Sequence, residues 1–84
     1  MSTNAERLNQ TVLEIVSELS NTGIEEIKGS DRLREDLGLD SLQSMELLSR
    51  VSEAFDIDPD MEEVMAVETV EGVVSCLSTH LEAA

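Results

Sequence analysis

Three apolar stripes with helical spacing limit what this chain can fold into. Leu8, Val12, Ile15, Val16 and Leu19 stand at offsets 0, 4, 7, 8 and 11. Leu47, Leu48, Val51, Ala54 and Phe55 stand at 0, 1, 4, 7 and 8, and Val70, Val73, Val74, Leu77 and Leu81 at 0, 3, 4, 7 and 11. Each set lines one side of an α-helix and leaves that side in need of cover. With one Phe and neither Trp nor Tyr, the core must come from Leu, Ile, Val and Met, which suits packed helices better than aromatic-rich strands. An all-α bundle is expected.

Turn chemistry sets the boundaries. The first helix is predicted over Ala5 to Leu19 with Asn4 as N-cap, closed by Ser20-Asn21-Thr22-Gly23. A long connection then runs to Asp40. Ile24, Ile27, Leu33, Leu37 and Leu39 recur along it, so it should pack onto the helices and contain a short helical turn near Asp31 to Leu37. The second helix is predicted from Ser41 to Phe55, with Asp40 as N-cap and Gln43 reaching back to form a capping box. After Asp56 to Asp60 and its Pro59, a short helix from Asp60 to Ala66 should bury Met61, Val64 and Met65. Thr69 should cap the last helix, which is expected to run through Leu81. The architecture is thus a four-helix bundle with three longer helices, one short helix and a long first loop.

Eighty-four residues suit one domain, 1-84, with an ordered core over about 5-81, too small to enclose an active site together with its substrate. Nineteen acidic residues against five basic ones leave a net charge of -14. That field repels nucleic acid and favours proteins with Lys and Arg patches. The acidic residues are spread among apolar ones, as in a folded domain and not a disordered tail. Cys76 has no partner for an internal disulfide, and Met1-Ser2-Thr3-Asn4 opens no secretory leader, so a reducing cytoplasm is the expected home. No apolar run approaches the length of a membrane span. A monomer is expected.

Function is most legible in Glu35-Asp36-Leu37-Gly38-Leu39-Asp40-Ser41-Leu42. This run resembles the signature of acyl carrier proteins, and the order of predicted elements resembles that family from Ala5 to Leu81. The resemblance implies that Ser41 receives 4′-phosphopantetheine from coenzyme A through a magnesium-dependent phosphopantetheinyl transferase. It also implies that Asp40, Leu42 and Gly38 shape the attachment site. Acyl groups carried as thioesters in fatty-acid, polyketide or specialised lipid synthesis are the implied cargo, and acyl-transferring, condensing and tailoring enzymes with basic docking patches the implied partners. The physics agrees, since unpaired N–H groups and the positive dipole end at a helix start favour a phosphodiester. The motif holds no general base, so activation of the hydroxyl must come from the modifying enzyme. No catalytic residue is assigned.

With Leu47, Val51 and Phe55 facing inward, Leu42, Met45, Glu46, Ser49 and Glu53 fall on the outward side of the second helix. In the resembled family this face docks partner enzymes, apolar residues inserting while carboxylates meet basic groups. The plainer reading of Leu42 and Met45 is isolated surface hydrophobes. Met45, Leu47, Met61 and Met65 are candidates to line an acyl cavity, with ordinary core filling the alternative for Met61 and Met65. Two departures bear on the pathway. Gln43 stands where general fatty-acid carriers usually have Asp, and Arg50 adds a positive charge, which points to a dedicated polyketide or specialised lipid pathway. Leu39-Asp40 departs from the Gly-Gly-His type of triplet in peptidyl carriers, which makes an aminoacyl or peptidyl carrier the weaker alternative. From another class, an unmodified acidic interaction domain fits the composition equally well.

Asp56, Asp58 and Asp60 alternate like the start of an EF-hand loop, but Met61 stands where Gly is required and Val67 where Glu is required, so no metal site is assigned. His80 reads as a helix-end histidine and Cys76 as a partly buried structural thiol.

Overall fold

The computed structural model describes the backbone of residues 4–83, with the side chains of residues 4, 5, 61, 82 and 83 outside the described set. Its elements in chain order are α1 (Asn4–Ser20), a 3₁₀ turn (Ile24–Glu26), α2 (Ser41–Phe55), α3 (Met61–Met65) and α4 (Val70–Ala83). Helix α1 packs against both α2 and α4, and α3 packs against α4. The fold is all-α, as the apolar periodicities predict.

The stripes meet in one core. Leu8, Val12 and Val16 of α1, Leu47, Leu48 and Val51 of α2, and Val70, Val73 and Leu77 of α4 are each at most 2% exposed. Burying a side chain of this size stabilises the fold by about 1.5–3 kcal/mol, so these nine dominate its cohesion. Ala54 is exposed, its methyl too short to reach the core that the Phe55 ring meets one residue on. Asn4 lies inside α1 and not before it, so the cap position falls on a residue outside the described set. At the other end Asn21 takes φ 56°, and Thr22 N–H donates to the Ser17 carbonyl at 3.2 Å, closing the helix as its turn residues predict.

The long connection is pinned, though unevenly. Ile27, Leu33 and Leu39 are buried and Leu37 is half-buried, whereas Ile24 is 37% exposed on the 3₁₀ turn that the sequence did not reveal. Between Arg32 and Gly38 a hydrogen-bonded turn forms, with Asp36 N–H and Leu37 N–H both donating to the Arg32 carbonyl, but it does not become a regular helix. An antiparallel bridge pairs Arg32 with Thr69, with Leu33 N–H donating to Glu68 O at 2.8 Å and Val70 N–H to Asp31 O at 3.1 Å. The loop is therefore fastened to the start of α4.

The segment between α3 and α4 also folds closely onto the start of α4, since a Cβ on Gly72 would lie 2.5 Å from Val67 Cγ1. In α3, Val64 is buried but Met65 is 41% exposed, because a five-residue helix has room to bury only one side. Asp60 caps α3 by accepting from Glu62 N–H at 3.0 Å. Among the described residues no helix is long and apolar enough to cross a membrane.

Candidate functional site

Ser41 is the first residue of α2 and is exposed. The helix starts there because Asp40 takes an extended conformation and its carboxylate accepts from Gln43 N–H at 2.8 Å. Gln43 Oε1 in turn accepts from Asp40 N–H at 3.3 Å, completing the predicted capping box. Just upstream, Gly38 has φ +70°, a conformation that side chains resist, and Leu39 N–H donates back to Leu33 O at 2.8 Å. The chain is thereby turned into α2 with Leu39 buried and Ser41 outside.

The departure at Gln43 acquires a structural explanation. Its Nε2 donates to the Leu19 carbonyl at 3.3 Å, tying the start of α2 to the end of α1. A carboxylate at this position has no hydrogen to donate. Gln43 is half-buried in that double role and is not part of an open docking face.

Arg34 is the residue that motif reading missed. Its Nη2 donates to Ser41 Oγ at 3.1 Å across seven residues of loop. No periodicity marks such a contact, because it depends on the turn that carries Arg34 folding back over the helix start. Arg32, two residues earlier, is committed elsewhere: it pairs with Glu35, and its Nε reaches Asp36 Oδ2 at 3.3 Å. Asp36 also accepts from Arg32 N–H at 2.8 Å, and this bond, helped by the guanidinium, holds its carboxyl below the usual carboxylate range.

On the outward side of α2, Leu42 is 76% and Met45 47% exposed, and Glu46, Ser49 and Glu53 are exposed with them. Arg50 lies at the border of this face. It donates to Glu46 at 3.0 Å and to Glu18 of α1 at 3.2 Å, so its charge is offset within the fold.

A cavity of about 300 Å³ opens beside Ser41 between α2, α3 and the loop, with Leu39, Leu47, Val64, Met65 and Val73 among its walls. Of the four cavity candidates, Leu47 and Met65 line it, Met45 lies past Ser41 on the solvent side, and the Met61 side chain is outside the described set. Cys76 is half-buried in α4, and burial, with Glu63 nearby, pushes its thiol pKa up. Among the described residues no group of three or more His, Cys, Asp or Glu is placed to hold a metal ion.

A small acidic helical bundle that offers an exposed serine hydroxyl at a capped helix start, beside a cavity with apolar walls at its inner side and a polar rim, has the form of a carrier. Comparison with known proteins agrees. Residues 10–77 match the family described as Phosphopantetheine attachment site. The chain is 31% identical over 75 residues to an acyl carrier protein of Rickettsia bellii (strain RML369-C), covering 89% of this chain and 87% of that one. It is 38% identical over 69 residues to an acyl carrier protein of Wolinella succinogenes, covering 82% and 91%. Over 71 residues it is 37% identical to part of the non-reducing polyketide synthase dbaI of Emericella nidulans, covering 84% of this chain and 3% of that one.

The chain belongs to the phosphopantetheine-binding family of acyl carrier proteins, and its prosthetic group is covalent 4′-phosphopantetheine. The site chemistry suits that group: a free hydroxyl for the ester bond, and first-turn N–H groups with a positive dipole end beside it for the phosphate.

Proposed function

We propose that Ser41 bears the 4′-phosphopantetheine and that the chain carries acyl intermediates for a dedicated polyketide or specialised lipid pathway in the cytoplasm. The observation that supports this most is the exposed Ser41 hydroxyl, first in a capped fifteen-residue helix and at the edge of a cavity lined by both apolar and polar residues. Loading joins Ser41 Oγ to the β-phosphorus of coenzyme A as adenosine 3′,5′-bisphosphate leaves. The hydroxyl proton passes to a base of the transferase, since Arg34, the side chain that touches Oγ, is a cation and accepts none. When bound, the arm supplies a terminal thiol that holds the acyl group as a thioester.

The cavity walls formed by Leu47, Val64 and Met65 are apolar and of a size to shield part of an acyl chain, with the flexible Met65 at an exposed position able to repack. Partner enzymes dock on the outward face of α2, where Leu42 and Met45 supply the apolar contact and Glu46 and Glu53 the charge. Because Arg50 already pairs with Glu46, a basic partner gains less there and the apolar pair counts for more. That balance, together with Gln43 being held inside the fold, favours dedicated partners over the general fatty-acid set. The polyketide synthase among the relatives fits the same reading.

Incubation with coenzyme A, Mg²⁺ and a broad-specificity transferase should add one phosphopantetheine to the native chain by intact mass. Ser41→Ala should add none while its unfolding free energy stays within about 0.5 kcal/mol of the native value, the usual range for an exposed substitution. No gain on the native chain returns the unmodified interaction domain to first place.

A further inference from the structure

Arg34 occupies an unusual electrostatic position in a chain of net charge -14. Its nearest carboxylates along the sequence are already engaged: Glu35 and Asp36 pair with Arg32, and the Asp40 carboxylate accepts from Gln43 N–H. Among the described residues Arg34 forms no ion pair, and its side chain donates to a neutral acceptor, Ser41 Oγ. A guanidinium has five N–H donors, so most remain for another acceptor.

The backbone beneath this side chain is held in place. Leu33 is buried and its N–H donates to Glu68 O, while Gly38 N–H donates to the Arg34 carbonyl at 3.1 Å. The guanidinium therefore projects from a hydrogen-bonded turn toward the helix start, and it also borders the cavity beside Ser41.

We propose that Arg34 is a positioning residue that holds the phosphodiester of the prosthetic group on Ser41, its neutral hydrogen bond to Oγ giving way to an ion pair with the non-bridging phosphate oxygens once Oγ is esterified. The proposal rests on the reading of Ser41 as the attachment site. Loading bonds phosphorus to the atom Arg34 already touches and places an anion there, where hydrogen bonds assisted by charge are about twice as strong as neutral ones. The same cation offsets repulsion between the new phosphate and the carboxylate of Asp40, the adjoining N-cap.

The test uses wild type, Arg34→Gln and Arg34→Lys, each as apo and holo protein, with the modified residue located by peptide mass mapping. At low salt, holo-minus-apo melting midpoint should be lower in Arg34→Gln than in wild type by about 3 °C, as expected for one partly exposed ion pair in a domain of this size. Arg34→Lys should restore part of the difference, and high salt should shrink it. In wild type the Arg34 Nε–Hε resonance should move on loading, and the ³¹P resonance of the phosphodiester should differ between wild type and Arg34→Gln. Equal midpoint differences in all three proteins, with the Arg34 resonance unmoved, would overturn the proposal and leave Ser41 as the site. Loading at another residue, or none in wild type, would overturn both.

Discussion

Helices α2 and α4 begin in similar ways and come to opposite ends. Each follows a polar N-cap, Asp40 accepting from Gln43 N–H and Thr69 accepting from Gly72 N–H at 3.1 Å. At α4 the loop then closes over the start, because Val70 N–H donates to Asp31 O and Glu71 N–H to Gly29 O, and Val70 is buried. Those donors are spent inside the fold. At α2 the loop turns away through Gly38 and leaves Ser41 and Leu42 exposed. A helix start is thus left open to solvent or made a structural seam according to what the preceding chain does with its first N–H groups, and the dipole by itself does not decide between them.

The contrast can be broken most strongly at α4. Gly72→Ala puts a Cβ against Val67 Cγ1 and should cost about 2 kcal/mol, since overpacking outweighs the gain in helix propensity. Thermal denaturation should show a midpoint lower by roughly 8–16 °C, with transferase loading intact well below that midpoint. Asp40→Ala attacks the α2 start instead and removes a cap worth about 1 kcal/mol, which Asp40→Ser should largely restore. If the two starts differ as described, Asp40→Ala should also fray α2 locally, so amide exchange should rise at Ser41 to Ser44 and stay unchanged at Val70 to Val73.

The smallest effect sharpens the comparison through pH. Asp36 lies on the turn that feeds the α2 start, and its folded-state pKa is depressed by Arg32. Its contribution is therefore present above the unfolded-state value and is lost as pH falls through the lower folded-state value. Asp36→Asn should lower stability slightly near neutral pH, converge with the native chain at low pH and so flatten that part of the acid limb, as urea titrations from acid to neutral pH would show. An unaltered acid limb would mean the turn gains nothing from that charge.

Much of this molecule was legible before folding. Offsets of three and four among Leu and Val marked the helices, Asp40 with Gln43 spelled the capping box, and the wheel of α2 placed Leu42, Met45, Glu46, Ser49 and Glu53 outward, where they stand exposed. These are local properties, set by residues within a turn or two of one another. The same reasoning erred at Met65 and Ala54, where burial depended on side-chain reach and on how short α3 is and not on the stripe itself.

What the sequence by itself determined is that Ser41 opens a capped helix in an acidic all-α chain, because cap, period and charge are written in adjacent residues. Only the tertiary structure decided what surrounds that serine. Arg34 comes over the hydroxyl, Gln43 reaches the Leu19 carbonyl across 24 residues, and Arg50 meets Glu18 across 32. Such contacts carry no local pattern, since they exist only once the loop has been fastened to α4 and α1 has packed against α2.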